Sequence, residues 1–236
     1  MKKIKAVFFD RDQTLTTWNP DKKRLLIDYI HKHCQRPYDL PNQTMMDLFQ
    51  KAGYPDGGLK TLDAEKAFWL RYYAELLIHF GAKDSISEGS DYLFSELWCN
   101  GDRVLFEEVI EVLDYFKNEG LQIGVISDTS PSLQLSLEQL GLGKWIDSYT
   151  CSDLVGVMKP DPQIFNAALR TLDVQADEAL YVDDYDVESD GARMVGFTAF
   201  HIDRSGKTSG EWVIRSLRDM VTYYERIKQV VTKGLC

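Results

Sequence analysis

The residues best suited to chemistry in this sequence follow short apolar runs, which are typical of buried strands. Residues 4–9 form the first run, and Asp10 and Asp12 come directly after it. Two later runs end in polar residues in the same way, and a loop between them carries a lysine: Ser127-Asp128, Lys159 and Asp183-Asp184. Because ligands bind at the carboxyl ends of the strands in parallel α/β sheets, we expect these side chains to converge there.

This set of side chains indicates a metal-dependent reaction on phosphate. Carboxylates that crowd together repel one another unless a cation lies among them. Oxygen ligands suit Mg²⁺. A zinc site is disfavoured because no histidine lies at these strand ends; the histidines are His31, His33, His79 and His201. Ser127 and Lys159 are suited to bind phosphoryl oxygens, and a carboxylate nucleophile beside a second carboxylate favours a covalent aspartyl-phosphate route.

The elements that must position these residues follow two different patterns. After about residue 100, strand-like apolar runs alternate with helical ones, and this alternation predicts a Rossmann-like, doubly wound parallel α/β sheet. From Asp21 to Trp98, apolar residues recur at helical spacing in runs separated by turn formers, which predicts a helical insertion. We therefore predict a catalytic core of residues 1–15 and 97–236, interrupted by a helical cap domain of residues 16–96.

Composition narrows the classes of partner and compartment. The chain has 236 residues, a formal net charge of -10 and a pI of about 4.9, which argues against binding to nucleic acids and to anionic membranes. The cysteines are far apart and form no C-x-x-C pair, which favours reduced thiols: Cys34, Cys99, Cys151 and Cys236. No apolar segment approaches the length of a membrane span. We expect a cytoplasmic protein with a small phosphorylated substrate, and the sequence leaves the oligomeric state open.

Over nearly the whole chain, these motifs resemble the haloacid dehalogenase (HAD) superfamily of phosphotransferases. Its first motif, a strand followed by D-x-D-x-T, is similar to VFFDRDQTL, and its second, a strand that ends in Ser or Thr, to GVISDTS. Its third, a Lys often followed by Pro, is similar to GVMKPDPQIF, and its acidic fourth motif to YVDDYDVESDGARMVGF. The insertion between the first two motifs resembles the helical type-1 cap.

The resemblance implies a role for each matching residue. Asp10 would be the nucleophile, and Asp12 would protonate the leaving group and then activate water. Ser127 and Lys159 would take part in catalysis by binding the phosphoryl group. The implied metal ligands are Asp10, Asp12 and Asp184, with Asp183 and Glu188 in support. The implied substrate-binding residues are Arg11, Thr14, Ser127, Asp128 and Lys159.

The sequence departs from the family pattern at two places. Gln13 stands where the family usually has Gly, a residue that readily adopts positive φ, so we expect a different turn there or a side chain near the site. In the fourth motif, the third acid is either Glu188 or Asp190. The alignment of the following Gly191-Ala192 favours Glu188.

Several other functions share part of this residue set. A phosphosugar mutase of the same superfamily has the same motifs and stays open. A 2-haloacid dehalogenase is disfavoured because those relatives lack the second Asp of the first motif, and Asp12 is present. A signalling receiver domain carries its acidic pair after the first strand, whereas here the pair comes last. A catalytically silent phosphate-binding module is disfavoured because the complete set of acidic, hydroxyl and lysine residues is present.

Overall fold

The structure, a computed structural model, describes residues 3–233, so Cys236 and the end of the predicted core lie outside it. Two compact units make up the chain. Of the described residues, the first comprises 3–17, 105–129 and 141–233, and the second comprises 18–104 and 130–140. The assignment of 1–15 and 97–236 as a catalytic core and of 16–96 as a cap stays a prediction.

Within the described residues, six strands of the first unit form one sheet of parallel pairs. The labels β2 and β3 are kept for a separate pair of strands. In chain order the six strands are β1 (Ala6–Phe9), β4 (Gln122–Ser127), β5 (Ser148–Cys151), β6 (Ala179–Asp183), β7 (Thr198–Ile202) and β8 (Val213–Ile214). Their spatial order is β5-β4-β1-β6-β7-β8. The predicted Rossmann-like parallel sheet is therefore confirmed.

The central position of β1 explains where polar residues gather. All of its residues are buried, and neighbouring strands lie on both sides of it: Phe9 is in register with Val125 of β4 and with Val182 of β6. Asp10 follows β1 directly, while Ser127 and Asp183 are the last residues of β4 and β6. The three strand ends therefore place these polar side chains at one edge of the sheet.

The first unit also contains five α-helices among the described residues: α5 (Val109–Asn118), α7 (Ser152–Val155), α8 (Pro162–Leu172), α9 (Asp186–Val195) and α10 (Leu217–Lys233). The helix α8 begins with Asp161 as its N-cap and Pro162 in its first turn, an arrangement that satisfies an orphan amide and suits the fixed φ of proline. Its apolar face belongs to a buried cluster that also contains Phe8, Tyr181 and Phe197. This packing holds α8 against β1 and β6, the two strands whose carboxyl ends carry Asp10 and Asp183.

The second unit is helical, as predicted for residues 21–98, and it also includes residues 130–140, which were predicted to belong to the core. It contains α1 (Pro20–His33), α2 (Asn42–Lys51), α3 (Leu62–Phe80), α4 (Ile86–Leu97) and α6 (Leu133–Gln139). Side-chain caps from Asn19, Thr61 and Ser85 begin three of these helices, which satisfies amides that would otherwise lack partners. The unit has its own apolar core, in which Phe68, Leu76 and Leu93 are fully buried.

Some short elements differ from the predictions. The strands β2 (Thr16–Trp18) and β3 (Arg103–Leu105) pair with each other, but at three residues each they are too short to show an alternating pattern. The helix α9 begins at Asp186, and its acidic first turn has no apolar periodicity that would predict a helix there. None of the helices in residues 3–233 is long and apolar enough to cross a membrane.

Candidate active site

A buried lysine lies at the centre of the polar edge of the sheet. The Nζ atom of Lys159 lies 2.8 Å from Oδ1 of Asp10, 2.7 Å from Oδ2 of Asp183 and 2.7 Å from Oε2 of Glu188. Only 2% of the Lys159 side chain is exposed. Although burial lowers the pKa of Lys159, the carboxylates around it, Asp10 first, raise that pKa well above its ordinary value. Lys159 is therefore held as a cation among acids.

Three carboxylates come close enough together to share a cation. Oxygens of Asp10, Asp183 and Asp184 lie within 4.8 Å of one another, and these three form the one such group in the described part of the chain. Burial, opposed by Lys159, raises the pKa of Asp10 well above its ordinary range. Burial and the charge of Asp183 raise the pKa of Asp184 to about 6. The ionised forms are thus unfavourable next to one another, and the all-oxygen donor set fits Mg²⁺.

Asp12 and Glu188, the other two predicted metal ligands, lie outside this group of three. Glu188 instead pairs with Lys159, and burial raises the pKa of Glu188 to about 7 although Lys159 opposes the shift. Asp190, the competing third acid of the fourth motif, forms an ion pair with Arg193 on its own helix. Of these two acids the structure brings Glu188 to the site.

The Asp12 carboxylate is bound by its neighbour in the sequence. Arg11 donates from Nε to Oδ1 of Asp12 at 3.2 Å and from Nη2 to Oδ2 at 2.9 Å. The same guanidinium donates to Oγ1 of Thr129 at 3.0 Å, beyond the end of β4. The Arg11 side chain is buried, whereas 39% of the Asp12 side chain is exposed. The structure thus orients Asp12 through the Arg11 side chain, a contact that the sequence did not predict.

The turn after Asp12 keeps a glycine-like conformation without a glycine. Gln13 has a φ of 57°, in the left-handed region that L-residues with a side chain rarely adopt. The sequence departs from the family pattern at position 13 in its residue type, while the backbone there keeps a conformation that glycine would adopt. Next to it, Thr14 is fully buried, and its Oγ1 has no hydrogen-bond partner within residues 3–233. A buried hydroxyl without a partner is uncommon, and Ser148 is the other such residue in this part of the chain.

Ser127 and Asp128 end up with different surroundings. Ser127 is buried at the end of β4, opposite Cys151 of β5 in the register of the sheet. Oδ1 of Asp128 accepts a hydrogen bond from the backbone N–H of Lys159 at 3.0 Å. The carboxylate of Asp128 therefore orients the loop that carries the lysine, a contact that its predicted place among the substrate-binding residues did not suggest.

Two supporting residues were missed by the sequence analysis. Tyr181 is fully buried, donates to Oδ2 of Asp183 and accepts from Nζ of Lys159 at 3.3 Å. Burial raises the pKa of the Tyr181 phenol, so the phenol keeps the proton that it donates. The period of a strand was the available signal, since Tyr181 lies two positions before Asp183 and so on the same face. Gly191 is the second: a Cβ there would lie 2.5 Å from Cβ of Pro160.

Comparisons with known proteins bear on the family and the fold of the chain. The family model described as haloacid dehalogenase-like hydrolase matches residues 4–196. A ribulose-1,5-bisphosphate 5-phosphatase of Halopiger xanaduensis is 27% identical over 85% of each chain. A glyceraldehyde 3-phosphate phosphatase of Pyrococcus furiosus is 27% identical over 96% of this chain and 95% of its own. The structure of a 2-haloacid dehalogenase from Pseudomonas syringae has the same fold, with a TM-score of 0.63, 23% identity and coverage of 94% and 99%.

Proposed function

Since this chain belongs to the haloacid dehalogenase-like hydrolase family, we propose that it is a Mg²⁺-dependent phosphatase of small phosphate monoesters. The observation that carries the proposal is the group formed by Asp10, Asp183 and Asp184, whose oxygens lie within 4.8 Å of one another. Three carboxylates so close together repel an anionic substrate unless a cation accompanies it. A phosphate ester with a bound divalent cation satisfies that condition.

The residues of the chain divide the reaction into two steps. Oδ of Asp10 attacks phosphorus, the bond to the leaving oxygen breaks, and Asp12 gives that oxygen a proton. Water then attacks phosphorus in the aspartyl phosphate, and the ionised Asp12 takes a proton from that water. The bond between phosphorus and the Asp10 oxygen breaks, which releases inorganic phosphate and restores the Asp10 carboxylate. Mg²⁺ held by Asp10, Asp183 and Asp184 would supply positive charge that offsets the charge of the phosphoryl group.

Groups around the nucleophile are suited to hold the phosphoryl oxygens. Lys159 lies beside Asp10, and Ser127 ends the neighbouring strand; both bind the phosphoryl group in this proposal, together with the backbone amide of Arg11 and the unpartnered hydroxyl of Thr14. Asp128 acts through Lys159, because a carboxylate in contact with phosphate would be repelled and this one already accepts from the backbone of the lysine. In this proposal, Lys159 and the metal together supply the positive charge that binds the phosphoryl group.

Asp12 favours phosphate esters over haloacids as the substrate. A departing halide needs no proton, whereas a departing alkoxide is a strong base and needs one from a nearby acid. Asp12 is half-exposed and lies two positions after the buried Asp10. A general acid must lie close to the leaving oxygen, and this position suits that role. The names of the two phosphatase relatives refer to phosphorylated sugars, so we propose the same class of substrate for this chain.

The test is a screen for release of inorganic phosphate from phosphosugars, nucleotides and phospho-acids, each with Mg²⁺ and with excess EDTA. The proposal predicts release from at least one phosphosugar with Mg²⁺ and none in EDTA. Isomerisation of a sugar phosphate without net release would establish a mutase instead. Release of chloride from 2-chloropropionate, with no phosphate released from any ester, would establish a dehalogenase.

A further inference from the structure

The turn that carries Asp12 is held by Arg204, a residue that lies 191 positions after Gln13 in the chain. We propose that Arg204 is a positioning residue that holds the left-handed turn at Gln13, and that Glu108 holds Arg204 in place. The inference rests on the proposed function for its effect on turnover. Its structural part, that Arg204 holds the turn, is independent of the reaction.

The turn itself is short and closed. The carbonyl oxygen of Arg11 accepts from the N–H of Leu15 at 3.0 Å and of Thr16 at 2.8 Å. Gln13 donates its N–H to the carbonyl of Thr16 at 2.6 Å and has a φ of 57°. Asp12 lies inside this ring of hydrogen bonds, so any relaxation of Gln13 toward negative φ changes where the Asp12 carboxylate points. A residue with a Cβ relaxes in that direction unless something holds it.

Arg204 holds the two peptide groups that would move. It lies just after β7, and its guanidinium donates from Nε to the carbonyl of Gln13 at 3.2 Å and from Nη2 to the carbonyl of Thr14 at 2.7 Å. The same guanidinium stacks on Phe106, 3.6 Å from the ring centroid. Two consecutive carbonyls are thus fixed by one rigid plane, a geometry that the single ammonium of a lysine cannot reproduce.

Glu108 fixes the orientation of that plane. Its Oε1 accepts from Nη1 of Arg204 at 2.7 Å, and also from Oγ of Ser216 at 3.2 Å and the N–H of Leu217 at 3.3 Å. Only 4% of Glu108 is exposed. Although burial raises the pKa of Glu108, its hydrogen bonds, with that from Arg204 first, bring the pKa below its ordinary value. Glu108 is therefore an ionised, immobile partner for Arg204.

A double-mutant cycle between Arg204 and Gln13 tests the inference. Glycine adopts positive φ without strain, so Gln13→Gly should make the turn independent of Arg204. With p-nitrophenyl phosphate and Mg²⁺, we expect Arg204→Lys to lower kcat roughly 10-fold or more in the wild type, and less than about 3-fold in the Gln13→Gly protein. KM should change little in either. Arg218→Lys, at an exposed arginine on α10, is the matched control and should leave kcat unchanged.

Amide hydrogen exchange gives a readout that does not depend on turnover. We expect the Leu15 and Thr16 amides to exchange faster in Arg204→Lys and to return to the wild-type rate when Gln13→Gly is added. Glu108→Gln keeps the shape of the side chain and loses its charge, so the Leu15 and Thr16 amides should exchange faster in this variant too, but by a smaller factor. This variant replaces Arg204→Lys in the experiment if Arg204→Lys does not fold. Equal effects of Arg204→Lys with and without Gln13→Gly, on exchange as on kcat, would overturn the inference. A wild type without phosphatase activity would overturn the proposed function, and the exchange rates would still decide this question.

Discussion

The side-chain nitrogen of Lys159 lies 2.8 Å from Oδ1 of Asp10, although 149 positions separate the two residues in the chain. The contact exists because the loop before α8 reaches the end of β1, the central strand of the sheet. Lys159 also contacts Asp183, so one buried cation holds the predicted nucleophile and a predicted metal ligand together. Whatever holds Lys159 in place should therefore affect turnover.

Tyr181→Phe removes the hydroxyl that donates to Asp183 and accepts from Lys159. The expected result is a loss of stability of about 1–3 kcal/mol, since a buried charged group loses a hydrogen bond. We also expect a fall in kcat, because both partners touch the reacting groups. Tyr115→Phe, which removes a phenol that donates to Glu225, is the matched control and should leave kcat unchanged. If Tyr181→Phe turned over at the wild-type rate, Tyr181 would have no part in positioning Lys159.

Gly191→Ala tests how closely α9 must approach the lysine loop. The added Cβ would lie 2.5 Å from Cβ and 3.0 Å from the carbonyl oxygen of Pro160. Because backbone atoms cannot yield as a flexible side chain does, Lys159 should shift, and we expect kcat to fall roughly 10- to 100-fold. Gly57→Ala adds the same methyl group where nothing lies within 4 Å and should keep kcat. Equal kcat values for the two variants would show that the approach of α9 does not matter.

One contribution to the pH dependence of the stability of the metal-free protein comes from Asp184. Its pKa is raised from 3.8 to about 6, first by burial and then by Asp183, so the folded protein holds a proton that the unfolded chain releases. The contribution of this carboxyl to stability is therefore fully present below pH 3.8 and lost as the pH rises through about 6. In EDTA, Asp184→Asn should melt at nearly the same temperature as the wild type at low pH and above it near neutral pH.

Added Mg²⁺ should show the opposite trend, because the metal competes with the proton on Asp184. We expect the rise in melting temperature on adding Mg²⁺ to grow with pH through the same window and to be small in Asp184→Asn. A pH-independent effect of Mg²⁺ in the wild type would contradict the assignment of Asp184 as a ligand.

The edge of the sheet was predictable because it follows from strand order and strand ends. The apolar runs before Asp10, Ser127 and Asp183 have the length and composition of buried strands, and parallel strands bring their carboxyl ends together whatever their separation in the chain. The match with the structure is close there: β1, β4 and β6 are neighbours. The helical insertion was predictable as well, because its apolar residues recur at helical spacing.

What the sequence did not reveal depends on side-chain packing between distant segments. Arg204 meets the carbonyl of Gln13 across 191 positions, and no periodicity connects a loop arginine to a particular carbonyl. The pairing of Arg11 with Asp12 depends on rotamers that adjacent residues choose only in the folded chain. The positive φ of Gln13 was hidden because the residue type that normally signals it is absent.

Asp12→Ala separates the acid role of Asp12 from a general contribution to the site. An alkoxide leaving group needs a proton, whereas nitrophenolate leaves with little help. The variant should therefore lose far more activity on an alkyl phosphate than on p-nitrophenyl phosphate, with some loss on both because Asp12 also activates water. Rates of phosphate release from the two substrates, compared with the wild type, provide the check. Equal proportional losses would leave Asp12 without an acid role.

The most direct test of the account is the rate at which Asp10→Asn releases phosphate from the best substrate of the screen, with Mg²⁺ present. The amide keeps the shape of the side chain and loses the anionic oxygen that attacks phosphorus, so we expect the rate to fall by a factor on the order of a thousand or more. Circular dichroism should show that the variant is folded. The account predicts a folded, nearly inactive protein, and a folded Asp10→Asn that turns over near the wild-type rate would contradict it.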